Sequence, residues 1–108
     1  MPRRLFGVHF VHLARVGVSF EWDPEKAGAN FRKHGVRFPE AEPVFLDDFA
    51  ITIPDDESDP FEQRFVSIGM GVKQRVVVVV YCFRGSLIRI ISARLAEAHE
   101  RAHYEEQR

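Results

Sequence analysis

The spacing of hydrophobic positions switches between two periods along the chain, and each switch marks an element. Phe20-Glu21-Trp22 alternates apolar and polar residues, as a short strand does. Asp23 then offers a side-chain cap and Pro24 suits a first helical position. Ala27 and Phe31 fall on one helical face with His34 close to it, and Gly35 is placed to end the helix in a left-handed conformation. A second helix is predicted from Pro39 to Leu46, burying Ala41, Val44 and Phe45. Strand-like runs follow at Phe49 to Ile53, Arg64 to Met70, Arg75 to Phe83 and Leu87 to Ser92, with the acidic turn Pro54-Asp55-Asp56-Glu57-Ser58-Asp59-Pro60 after the first. Five consecutive valines, Val76 to Val80, predict a central strand covered on both faces. Gly85-Ser86 supplies a hairpin turn. A last helix runs from about Leu95 or Glu97 to Glu106, with Glu97 a weak cap that predicts a frayed start. This order gives an α+β fold: N-terminal helices packed on an antiparallel β-sheet meander, with a C-terminal helix.

A length of 108 residues supports a single core. The division expected is an N-terminal extension over residues 1–19, either an extra strand or a loose segment, followed by one domain over residues 20–108. The extension carries Met1-Pro2-Arg3-Arg4 before an apolar stretch. His9, His12 and Arg15 interrupt that stretch, which makes it a poor secretory leader and too short and polar to span a bilayer. A net charge of −1 gives no global basic field, so a nucleic-acid partner would need a local patch. Charge is unevenly spread: acids crowd between Asp47 and Glu62, whereas Arg84, Arg89 and Arg94 recur with no acid between them. Cys82, the single cysteine, excludes an intrachain disulfide and lies in an apolar run as a buried packing residue, which fits a cytoplasmic protein.

Few residues have the chemistry to act. Arg89 sits among apolar strand residues, where a guanidinium needs either a carboxylate partner, from Glu62 or another acid, or an anionic ligand. Glu62 and Arg64 share a face by alternation, as a surface ion pair or as a carboxylate beside a phosphate-holding cation. His34 suits proton transfer near neutral pH, yet it and Lys33 also suit the negative end of a helix. His99-Glu100-Arg101-Ala102-His103 has zinc-protease spacing, which raises a zinc hydrolase as one alternative. The only acids beyond it that could complete a metal site are Glu105, Glu106 and the terminus, so an exposed helical face is the simpler reading.

The opening segment Phe20 to Gly35, with Val36-Arg37-Phe38-Pro39-Glu40-Ala41, resembles the start of the BrnT toxins. Glu62-Gln63-Arg64-Phe65-Val66-Ser67-Ile68-Gly69, the valine strand ending in Tyr81, Ile88-Arg89-Ile90-Ile91-Ser92-Ala93-Arg94, and Glu100, Arg101 and Tyr104 extend the likeness from about Phe20 to Glu105. The resemblance implies a RelE-like fold and a type II toxin that cleaves RNA without a metal or other cofactor. It implies inhibition by a BrnA-like antitoxin with a ribbon-helix-helix module, in a heterotetramer that reaches operator DNA only through the antitoxin. No membrane partner is implied. The candidate catalytic residues are His34 or Glu62 as base, Arg64, Arg89 and Arg94 as charge stabilisers, and Tyr104 as an orienting group or acid. Lys33, Arg84 and Arg101 would position the RNA backbone. The last helix carries Ala98, His99, Ala102 and His103 where such toxins are rich in arginine. A catalytically weak, antitoxin-binding co-repressor is therefore a second alternative.

Overall fold

The computed structural model describes residues 10–15, 18–56 and 61–108; expectations for residues 1–9 lie outside the described residues. The elements are β1 (Phe10–Arg15), β2 (Val18–Trp22), α1 (Pro24–His34), α2 (Phe38–Ala41), a 3-10 turn (Glu42–Leu46), β3 (Ile51–Pro54), β4 (Arg64–Met70), β5 (Val76–Arg84), β6 (Leu87–Leu95) and α3 (Ala98–Glu105). One six-stranded sheet has the order β1-β2-β6-β5-β4-β3. The run β3 to β6 is the antiparallel meander expected. β2, however, pairs in parallel with β6 through Ser19, Phe20 and Glu21, opposite Leu87, Ile88 and Arg89, so the sheet is mixed. β2 begins at Val18, across the expected boundary at residue 20.

Alternation along β5 divides the molecule. Val77, Val79 and Tyr81 face a core with Phe20, Trp22, Val36, Phe38, Ala41 and Val44. Val76 and Val78 face a second cluster with Ala96 and Tyr104 of the C-terminal segment. The helical layer of α1 and α2 thus lies on one face of the sheet and α3 on the other.

The caps of α1 form as the sequence predicts. Asp23 Oδ1 accepts the Glu25 N–H at 2.9 Å, Pro24 opens the helix, and Gly35 closes it at φ 72°. The inward residue differs. Asn30 is buried, whereas Phe31 is 36% exposed beneath the Arg37 guanidinium, 3.8 Å from its ring centre. The reason lies in the sheet edge. β2 pairs only with the first residues of β6, and Asn30 takes over beyond it. Its Oδ1 accepts the Ala93 N–H at 3.1 Å, and its Nδ2 donates to the carbonyls of Ala93 and Val36 at 2.7 and 3.0 Å. Buried backbone polar groups must be satisfied, so a polar residue outcompetes phenylalanine here. The second helix is also shorter than predicted: α2 ends at Ala41 and a 3-10 turn continues to Leu46.

Two contacts hold α3 down. Arg94 grips Glu100 with two hydrogen bonds of 2.8 and 2.9 Å. The Tyr104 hydroxyl donates to Asp47 Oδ2 at 2.6 Å. Glu100 also accepts the Glu97 N–H at 2.8 Å, so the helix start is capped and not frayed; Glu97 is served by a carboxylate three residues on. The Arg94 bonds hold the Glu100 carboxyl down to about 2 against the opposition of burial. Hydrogen bonds from Tyr104, Met70 and Phe49 likewise lower Asp47, although burial, the largest single effect, works the other way. Burial and the Asp47 carboxylate push the Tyr104 phenol up to about 12.

Replacing Asn30 with Ala orphans buried backbone groups of Ala93 and Val36 and should cost about 1–3 kcal/mol in urea unfolding. A group whose pKa is lowered by folding stabilises above its unfolded value, so the Glu100 contribution should be complete above pH 4.5 and fade as pH falls towards about 2. Tyr104, raised from 10.0, should act in reverse, stabilising below pH 10 and losing its effect as pH climbs towards about 12. Thermal melting across pH should show both limbs. Glu100→Gln should flatten the acid limb, and Tyr104→Phe the alkaline one.

Candidate functional site

Cross-strand register gathers the strand arginines into one place. Arg64 on β4 stands opposite Cys82 on β5, Cys82 opposite Arg89 on β6, and Arg89 beside Glu21 on β2. These four residues form a row across the sheet on the face that carries α3. Neighbouring strands lie about 4.8 Å apart, so the two arginines are anchored roughly 10 Å from one another over the small Cys82 side chain. Arg84 is two residues further along β5, on the same face, where its Nε donates to Glu62 Oε2 at 3.0 Å. The apolar end of this face, Val76, Val78, Ile68 and Met70, packs in the cluster with Tyr104. The arginines occupy its other end.

An irregularity in β6 adds Arg94 to this face. Val80 pairs with Ser92 but Tyr81 pairs with Ile90, which leaves Ile91 as an extra residue. Simple alternation would send Arg89 and Arg94 to opposite faces. The bulge restores them to one face, as bulges do when they re-aim side chains. Gly85, at φ 61°, turns the β5–β6 hairpin and returns the chain so that Arg89 stands against Cys82.

Each candidate has a definite environment. Arg89 is paired, with Nη1 3.3 Å from Glu21 Oε2, and the side chains are 16% and 4% exposed. The partner is Glu21, on a strand remote in sequence; the alternating Phe20-Glu21-Trp22 pattern was its only signal. The pair still leaves further N–H groups of the Arg89 fork for an anion. Cys82 is fully buried, and burial, followed by the nearby Glu62 charge, pushes its thiol up while Arg84 opposes this. A thiol so placed is a poor nucleophile and serves as a small spacer between arginines.

Other candidates are not part of the row. His34 and Lys33 end α1, which packs through Asn30 on the opposite face near Ala93. Arg94 shares the arginine face but is clamped on Glu100, and Tyr104 lies buried on Asp47. Arg101, on α3, donates to the Ala96 carbonyl at 3.2 Å. Asp47, which holds Tyr104 and the Met70 N–H together, was not legible as a structural residue in its acidic run. The zinc reading loses its base, because Glu100 is committed to Arg94. The His99 and His103 side chains are well exposed, and among the described residues no three His, Cys, Asp or Glu side chains are grouped to hold a metal. No helix among the described residues is long and apolar enough to cross a membrane.

The family model for the ribonuclease toxin BrnT of type II toxin-antitoxin systems matches residues 22–100. The match therefore includes the arginine row from its Arg64 to its Arg89 and leaves β1 outside. A crystal structure of the Brucella abortus ribonuclease toxin BrnT is similar to this protein at 28% sequence identity, with a TM-score of 0.58. The similarity covers 70% of this chain and 92% of that one. Comparison with curated proteins gives no significant match. Matched over most of its length, with the α+β architecture of a solved member, the chain belongs to the BrnT family of ribonuclease toxins of type II toxin-antitoxin systems.

Proposed function

We propose that this protein is a metal-independent endoribonuclease toxin of RelE-like type and that the row Arg64–Cys82–Arg89, with Glu62 and Arg84 beside it, is its cleavage site. The observation that carries this reading is the convergence of three strand arginines and one half-buried carboxylate on a single sheet face. Cleavage begins when the ribose 2′-hydroxyl attacks the adjacent phosphorus. A base accepts the hydroxyl proton, cations hold the added charge on the phosphoryl oxygens, and the 5′-oxygen departs with a proton. The products are a 2′,3′-cyclic phosphate and a 5′-hydroxyl end.

Glu62 is the base that this geometry favours over His34, since α1 holds His34 on the other face of the sheet. The Arg84 guanidinium holds the carboxylate at 3.0 Å and orients it. Arg64 and Arg89 approach the phosphate from two strands, and their planar forks suit its oxygens. Arg94 and Tyr104 act through position, by holding α3 against the sheet. Lys33, His34 and Arg101 are left to later contacts of the RNA backbone. The protein works in the cytoplasm and is neutralised by a BrnA-like ribbon-helix-helix antitoxin, through which a heterotetramer reaches operator DNA.

One observation favours the second reading, a catalytically weak co-repressor: Arg84, Arg89 and Arg94 each carry a carboxylate partner within the chain. Incubation of purified protein with single-stranded RNA separates the two. Cleavage should persist in excess chelator and leave cyclic-phosphate ends, and a 2′-deoxy residue at the scissile position should block it. Removing a preorganised charge donor typically costs about 10²–10³ in kcat, so Arg64→Ala should fall in that range. Glu62→Gln should lose activity at unchanged melting temperature. Intact RNA after prolonged incubation, with operator binding that needs the antitoxin, would establish the co-repressor instead.

A further inference from the structure

A second concave surface lies on the helical side of the sheet, away from the arginine row. A hollow of about 340 Å³ is floored by Trp22, Phe38, Pro24 and Pro39. At Pro24 and Gly28 it meets a larger hollow of about 510 Å³ that runs along α1 past Lys26 to Arg32. At Arg37 and Pro39 it meets a smaller one of about 200 Å³ bounded by Val72 and Lys73. The shared lining residues make these three one groove.

Its charge is one-sided. Lys26, Arg32, Arg37 and Lys73 stand exposed along it, against Glu25 as the one exposed acid. Glu40 also borders the groove, but it is buried and neutralised by two hydrogen bonds from Arg75 at 2.8 and 2.9 Å. A chain with a net charge of −1 thus concentrates cations around a floor whose accessible apolar surface comes from Pro24, Pro39 and Val72, with Trp22 and Phe38 buried beneath. Gly28 contributes at the junction. A Cβ there would meet only Arg32 Nη1, at an ordinary 3.4 Å, so a longer side chain at this position has room to enter the groove.

We infer that this groove binds a segment of the antitoxin in which acidic side chains alternate with apolar ones. The inference rests on the type II reading, in which a protein antitoxin engages the toxin. Charge complementarity selects the occupant: carboxylates meet the four rim cations while apolar side chains cover Pro24, Pro39 and the exposed Val72. RNA fits less well, because Trp22 and Phe38 are buried beneath the surface and offer no ring face for a base to stack on, and the arginine row that suits phosphate is across the sheet. A segment seated here anchors the partner without filling the cleavage site.

Fluorescence polarisation with a labelled synthetic peptide alternating Glu with Leu and Pro tests the inference, with a Gln-for-Glu peptide and single-stranded RNA as comparators. The acidic peptide should bind the full-length protein roughly tenfold or more tighter than its Gln counterpart, and the gap should shrink as salt rises. Lys26→Glu with Arg32→Glu should weaken it at least as much. Gly28→Gln, which fills the junction, should weaken both peptides. RNA cleavage should be unchanged in these variants, Gly28→Gln should melt at or above the parent because glycine is a poor helix former, and saturating peptide should not inhibit cleavage. Absence of acidic-peptide binding, or equal binding by parent and double variant, would overturn the inference. Displacement of the peptide by RNA in the parent, together with loss of RNA binding in the double variant, would overturn it in favour of an RNA surface. An RNA-cleavage failure in the parent bears on the ribonuclease reading alone and leaves the peptide result standing.

Discussion

The constraint on which the rest of the structure depends is the two-sided burial of β5. Five valines in succession leave no polar face for water, so both sides of this strand must be covered. Val77 and Val79 draw the α1–α2 layer onto one face, and Val76 and Val78 draw the C-terminal segment onto the other. The strands that flank β5 inherit its alternation through register. Everything opposite Cys82 or Val78 is thereby committed to the face of α3, including Arg64, Arg89 and Arg94. The same alternation that builds the core therefore assembles the arginines.

Electrostatics then decides how that face behaves. Arg84, Arg89 and Arg94 are matched by Glu62, Glu21 and Glu100, which explains how a chain of net charge −1 can concentrate arginines without a diffuse positive field. The pairs are not equivalent. Glu21 and Arg89 are both largely buried, so removing one partner would strand the other's charge, whereas Glu62 and Arg84 are partly exposed, so that an exchange of partners costs less. Arg94 and Glu100 serve the fold by fastening α3 beside the site. The helical side of the sheet carries a different kind of surface, apolar in its floor and cationic at its rim. The two faces therefore differ in the chemistry they expose.

Much of the fold was legible because local signals were strong. Asp23, Pro24 and Gly35 bracket α1 as their side-chain chemistry requires, and β4 spans the predicted residues. The departures have a common cause. Asn30 turns inward because the edge of β6 beyond β2 needs a hydrogen-bonding partner, and the sequence of α1 holds no record of that edge. Glu97 looked like a weak cap, but Glu100 reaches back to its N–H. β2 was expected as a strand, yet its parallel seat beside β6 follows from which edge the meander leaves open.

The sequence by itself determined the elements, the central strand and the family, because caps, periods and motif order are local properties. It also marked Arg89 as a residue needing a carboxylate or an anion, since a strand arginine among apolar neighbours cannot stay unpaired, and it offered Arg64 and Arg84 as candidates through the family resemblance. Only the tertiary structure decided which of them meet. Period-two reasoning separates Arg89 from Arg94, and a single extra residue, Ile91, reunites them. Neither the bulge nor the partnership of Arg89 with Glu21 can be counted from spacing, because both arise when strands distant in sequence settle their register. His34, the most reactive-looking residue of the opening segment, was set on the far side of the sheet for the same reason: the position of α1 is fixed by the β6 edge it covers.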